Sequence, residues 1–120
     1  MPSLVADRLR DGRAIAAVLR GRRKRATERL VVHVLQRDDE RPARLAVVAS
    51  RRVGGAVQRN RAKRLLREAA RTRAWSPGND VVLVARKACA HSVLAEVVGD
   101  LEASVGTLGI ADRYPVGSSS

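Results

Sequence analysis

An α+β fold, built as a two-layer α/β sandwich with three helices on a small mixed sheet, is what this sequence predicts, and three patterns carry that expectation. The runs RLAVVAS (44–50) and DVVLVAR (80–86) are near-continuously apolar and β-branched, as strands buried on both faces are. Between them, the segment from Arg59 to Arg73 repeats its apolar residues at helical spacing, so strand, helix and strand form a crossover unit. A further set, Leu94, Val97, Val98, Leu101, Val105 and Leu108, falls on one helical stripe.

The remaining elements follow in chain order. From Asp11 to Arg20, the residues Ile15, Ala16, Val18 and Leu19 fit one side of a short helix that Asp11 can cap. GRRKRATER (21–29) reads as a basic loop, and LVVHVL (30–35) as a strand by its β-branched content. QRDDERPAR (36–44) is a polar turn in which Pro42 bars regular pairing. RRVGGAVQ (51–58) is a loop on the strength of Gly54-Gly55, and Ser76-Pro77-Gly78 ends the central helix. The last helix runs over 92–108 with Ser92 as its expected N-cap. One domain over residues 1–108 is expected, followed by a flexible tail, GIADRYPVGSSS (109–120).

The chain has 120 residues, 45% of them hydrophobic, which suits one domain with a modest core. Against that core stands a formal charge of +12, from 24 Lys+Arg and 12 Asp+Glu, which points to a polyanionic partner. Residues 1–87 hold 23 of the basic residues and 8 of the acidic ones, so the polyanion site belongs to the first three-quarters of the chain. Cys89 stands alone, which rules out an intrachain disulfide framework and fits a small core residue in a reducing cytoplasm. The opening MPSLVADRLR has no apolar signal region and no run reaches the length of a membrane span, so the expected location is cytoplasmic, with no membrane partner. A basic helix lying on a membrane would back its charge with bulky apolar residues; the chain has no Phe, one Trp and one Tyr. Nucleic acid suits the charge better.

Placed at 100° steps, Ala62, Leu65, Leu66 and Ala69 share an arc of about 100° on the central helix. Arg59, Asn60, Lys63, Arg64, Arg67 and Arg71 fill the opposite arc of about 140°. A solvated helix face ordinarily mixes charge signs at i,i+4, but Glu68 is the only acid between Arg59 and Arg73. Phosphates remove the repulsion: each neutralised phosphate releases counterions, and Arg offers a bidentate fork. Arg51 and Arg52, at a strand end leading to this helix, extend the surface, and the adjacent glycines let backbone approach a phosphate.

AVQRNRAKRLLREAAR (56–71) closely resembles the signature helix of the bacterial ribonuclease P protein subunit family, whose core is RNR followed by KR and then R. Arg59, Asn60, Arg61, Lys63, Arg64 and Arg67 stand at that spacing. LAVVASRR resembles the family strand that ends in two basic residues, PGNDVVLVARKA the strand after the signature helix, and RLRDGRAIAAVLRGRR the opening helix with its Gly-basic exit. The resemblance spans roughly residues 8–105.

That resemblance implies a subunit that binds ribonuclease P RNA, one protein to one RNA, and assists removal of the 5′ leader of precursor tRNA. The partner RNA, with the Mg²⁺ it requires, performs the hydrolysis; the protein is not the catalytic centre, and no residue is assigned as catalytic or as a metal ligand. Arg59, Asn60, Arg61, Lys63, Arg64 and Arg67 would contact the catalytic RNA, and Arg51 and Arg52 would lie near RNA and leader. A left-handed βαβ crossover is implied as well, against the usual right-handed rule. The family's leader cleft lies between the first helix and the sheet and carries aromatic side chains, where this chain has Ile15, Leu19 and His33. Stacking on aromatics contributes ~1–3 kcal/mol per base, so leader contact here should be weaker or less base-sensitive.

The residues agree that the protein is not the catalyst, since a metal-dependent nuclease needs convergent carboxylates. The one acid cluster, Asp38-Asp39-Glu40, falls in the polar turn and reads as a solvated tip. His33 and His91 have neither a partnered nucleophile nor ligand spacing, and His91 reads as a surface residue. The competing function is a ribosomal or general structured-RNA-binding protein with no role in tRNA processing. A DNA-binding helix is weaker, because base readout uses a few Asn, Gln and Arg rather than a wall of Arg.

Overall fold

The two buried runs become neighbouring strands at the centre of a five-stranded sheet, and the segment between them becomes the crossover helix. The computed structural model describes residues 6–110. In chain order the elements are β1 (Asp7–Arg8), α1 (Gly12–Arg20), β2 (Lys24–Ala26), β3 (Leu30–Gln36), β4 (Arg44–Val48), α2 (Ala56–Arg71), β5 (Asn79–Ala85) and α3 (Leu94–Leu108). Short 3-10 turns at Arg51–Val53 and Lys87–His91 lead into α2 and α3.

The sheet order is β1-β4-β5-β3-β2. β4 and β5 are parallel, with Leu45 opposite Val81 and Val47 opposite Leu83, and α2 makes the connection between them. β3 runs antiparallel to β5 from Leu30↔Ala85 to Gln36↔Asn79. The mixed α+β architecture expected from the sequence is therefore the one observed.

Alternation along the strands divides the core. Leu30, Val32 and Val34 of β3 and Val81, Leu83 and Ala85 of β5 join Leu65, Leu66 and Ala69 of α2 and Val97, Leu101 and Val105 of α3. The intervening residues Ala46 and Val82 join Leu9 and Val18, with Ile15, Leu19, Val48 and Val84 packed around them under α1. Thus α2 and α3 cover one face of the sheet and α1 covers part of the other, adding a partial third layer. Burial from both sides is why β4 and β5 read as continuous apolar runs.

Several expected boundaries move. Residues 21–29 are not simply a loop: they contain β2, antiparallel to β3 with Lys24↔His33, Arg25↔Val32 and Ala26↔Val31. All three β2 residues are exposed, so no apolar alternation marks the strand. β1, two residues long, pairs parallel to β4 and leaves no pattern to read. α2 begins at Ala56, three residues earlier than Arg59, because the chain turns at Gly54 (φ 142°) and Gln58 Oε1 accepts the Gly55 N–H at 3.1 Å. It ends at Arg71, where Thr72 Oγ1 donates to Ala69 O at 2.7 Å.

Ser92 does not cap α3. Val93 takes that position and its N–H donates to Glu96 Oε1 at 3.0 Å. Ser92 Oγ instead donates to Ala88 O at 2.7 Å and accepts from Arg29 Nε at 2.9 Å, tying the second 3-10 turn to the start of β3. Packing continues past Leu108, since Ile110 is buried in the larger core. The rest of the expected tail, 111–120, lies outside the described residues.

Candidate nucleic-acid interface

Ala62, Leu65, Leu66 and Ala69 are buried as their helical spacing requires, and Ala70 joins them, widening the packed arc of α2 to about 140°. Arg59 and Lys63 lie at one edge of this arc and are half-buried, whereas Asn60, Arg64, Arg67 and Arg71 are exposed. Among the described residues, none of Arg59, Lys63, Arg64, Arg67 and Arg71 has an ion-pair partner; the paired arginines are Arg29, Arg37, Arg44 and Arg73. The row of like charge predicted on this helix is thus a row of available cations.

Arg61 stands apart. Its Nε donates to Ala90 O at 2.8 Å and its Nη2 to Ser92 O at 3.2 Å, so this guanidinium fastens α2 to the turn that starts α3. At 200° from Arg59 it is off the cationic row, a displacement that spacing alone revealed only by angle. Arg51 and Arg52 are exposed on the 3-10 turn ahead of α2, where Ser50 Oγ accepts the Arg52 N–H at 3.3 Å. The N-terminus of α2 adds its own positive potential beside them.

Two arginines not anticipated from spacing, Arg8 and Arg10, face the same region. With Lys63, Arg67 and Arg71 they line an open groove of about 1330 Å³ along the outer edge of β4. The groove exists because β1 covers only Arg44 and Leu45 of that strand. Its lining reaches Ile15, so it joins the cations of α2 to the α1 side of the sheet. At its far end Arg73 lies 5.3 Å over the Trp75 ring and pairs with Glu102 at 2.6 Å, while Trp75 Nε1 donates to Ala70 O at 3.0 Å.

Ile15, Leu19 and His33 come together on the α1 side. Ile15 and Leu19 are half-buried on the smaller core, and His33 shares their face through its register with Val82. His33 is buried, its Nδ1 has no hydrogen-bond partner among the described residues, and burial together with the charge of Lys24 holds its pKa below the usual histidine value. His33 thus favours the neutral imidazole over the cation.

The acid cluster is tied into the scaffold at its middle residue. Asp39 accepts from Arg37 Nη2 at 2.9 Å and from the Arg41 N–H at 3.0 Å, and the Arg37 hydrogen bond lowers its pKa to about 2. Asp80, buried, joins Arg37 and Arg44 at 2.7 Å each. Burial alone would raise the Asp80 carboxyl, but the bonds from Arg44 and Arg37 outweigh it and hold the pKa below the usual range. His91 is exposed, as expected, and Cys89 is buried, its thiol pushed up to about 11 by burial. Among the described residues, no three His, Cys, Asp or Glu gather as a metal site would require, and no helix is long and apolar enough to cross a membrane.

The family model described as "Ribonuclease P" matches residues 5–109. The chain belongs to the ribonuclease P protein family. Among similar proteins, the "Ribonuclease P protein component" of Nocardioides sp. is 43% identical over 101 residues, covering 81% of this chain and 86% of the relative. That of Beutenbergia cavernae is 39% identical over 107 residues, with 88% and 90% covered. The structure of the RNase P protein from Thermotoga maritima superposes with a TM-score of 0.69 at 26% identity, covering 81% of this chain and 93% of that one. An RNase P protein mutant from Staphylococcus aureus has a TM-score of 0.76 at 21% identity, over 86% and 88%, a likeness of fold. Membership makes the chain an RNA-binding protein component in tRNA processing, with a role in an endoribonuclease holoenzyme and an RNA partner.

Proposed function

We propose that the exposed face of α2 holds the catalytic RNA of a cytoplasmic ribonuclease P, one protein to one RNA, while the α1 side of the sheet receives the 5′ leader of precursor tRNA. The observation that carries this reading is the set of cations on α2 without acidic partners among the described residues, mounted on a helix whose opposite side is locked into the core. Asn60, Lys63, Arg64, Arg67 and Arg71 contact RNA phosphates, with Arg59 at the rim and Arg51 and Arg52 at the entry to the leader path. Arg61 serves mainly as the clamp on α3. The reaction is endonucleolytic hydrolysis of the leader phosphodiester, carried by the RNA and its Mg²⁺, and the protein contributes binding and position.

An Arg64→Glu, Arg67→Glu variant tests the assignment. Its circular dichroism and unfolding midpoint should match the parent, while its affinity for ribonuclease P RNA falls by at least about tenfold and its salt dependence flattens. Unchanged RNA affinity in a folded variant would remove α2 from the interface. If the parent binds ribosomal RNA as tightly as ribonuclease P RNA, the general RNA-binding reading takes its place.

A further inference from the structure

A second cationic surface lies where the chain leaves α1, on the sheet edge far from the α2 groove. Arg20, Arg22, Arg23, Lys24 and Arg25 are five cations within six positions, all exposed. Arg23 is committed to the scaffold, because its guanidinium caps the Leu108 carbonyl at the end of α3. Among the described residues Arg20, Arg22, Lys24 and Arg25 have no acidic partner.

Three observations connect this surface to the α1 face of the sheet. Lys24 is the cross-strand partner of His33, so their side chains project to the same side. His33 in turn pairs with Val82, which lies in the small core under α1. Arg20 closes α1 and Arg22 follows its C-cap, so both border the same face. Charge on an edge strand also discourages pairing between molecules, but that role needs no run reaching back into a helix.

The geometry points to a phosphate rail: Arg20, Arg22 and Lys24 bind the backbone of the single-stranded leader as it passes over Ile15, Leu19 and His33. The inference rests on the leader reading above and sharpens it. Aliphatic residues and a neutral, buried imidazole offer the bases little stacking, so leader affinity here is carried by phosphates and is insensitive to base identity.

The test uses holoenzyme reconstituted with a bacterial ribonuclease P RNA, comparing precursor tRNA with leaderless tRNA. The parent should bind the precursor more tightly. An Arg22→Gln, Lys24→Gln variant should lose roughly tenfold in precursor affinity at 0.1 M salt, with a salt slope shallower by about 1.4, and keep its affinity for leaderless tRNA. A parent that shows no leader preference overturns the leader reading and the rail with it. A preference that the variant retains, at unchanged slope, overturns the rail alone. Equal losses on both substrates reassign the cations to the tRNA body or the catalytic RNA and equally overturn the rail.

Discussion

At the scale of single residues, arginine has two occupations in this protein, and geometry separates them. Arg61 sits one position from Asn60, yet it spends its donors on Ala90 O and Ser92 O, while among the described residues Arg64 has no ion-pair partner. Arg61→Ala should therefore destabilise the fold by about 1 kcal/mol, as lost charged hydrogen bonds near the surface do. Arg64→Ala should change stability by less than about 0.5 kcal/mol and weaken RNA binding instead, as urea unfolding paired with an RNA titration will show. The carboxylates make a second prediction. Asp39 and Asp80 both have pKa values held below the ordinary range by arginines, so each binds fewer protons folded than unfolded. Their contribution is present above pH ~4 and is lost as pH falls toward 2. His33, whose pKa is lowered, works in the same direction beginning near pH ~6.5, since the unfolded imidazole takes the proton first. Unfolding midpoints should decline from pH 7 to 2, and a flat profile would contradict these assignments. Asp80→Ala removes the buried carboxylate that Arg37 and Arg44 share, and because Arg37 keeps Asp39 and Arg44 is partly exposed, it should cost about 1–3 kcal/mol.

At the scale of elements, α2 was readable because its two demands use different sides of a 3.6-residue repeat. The alanines and leucines at 62, 65, 66 and 69 had to face the sheet, which left the cations outward. Leu66→Ala, at a fully buried position, should destabilise by about 2–5 kcal/mol in thermal or urea unfolding while the cationic face keeps its composition. β2 was not readable for the converse reason. Lys24, Arg25 and Ala26 bury nothing and are held by backbone pairing to β3, so their side chains carry no imprint of the strand. The start of α2 depended on Gln58 reaching back to the Gly55 N–H, a contact that follows only after the turn at Gly54 is formed. Ser92 illustrates a further limit: its hydroxyl had the chemistry of a cap, but Ala88 and Arg29 were the partners tertiary structure supplied.

For the molecule as a whole, the charge surplus of the first 87 residues resolves into distinct surfaces: α2 with its groove at one edge of the sheet, and the α1 exit with β2 at the other. Composition announced a polyanion, but neither charge nor periodicity could reveal that α1 lies on the opposite sheet face from α2. That placement depends on which strands pair, through contacts distant in sequence, such as Leu9 N–H to Leu45 O at 2.7 Å. The division matters for function because a protein gripping RNA on one side keeps the other free for substrate. The central claim is that this chain assists an RNA catalyst, and cleavage of precursor tRNA by a bacterial ribonuclease P RNA at low Mg²⁺ tests it most directly. Adding the protein should raise the cleavage rate well above that of the RNA alone, whereas no gain beyond that given by an unrelated protein of equal charge would contradict the account.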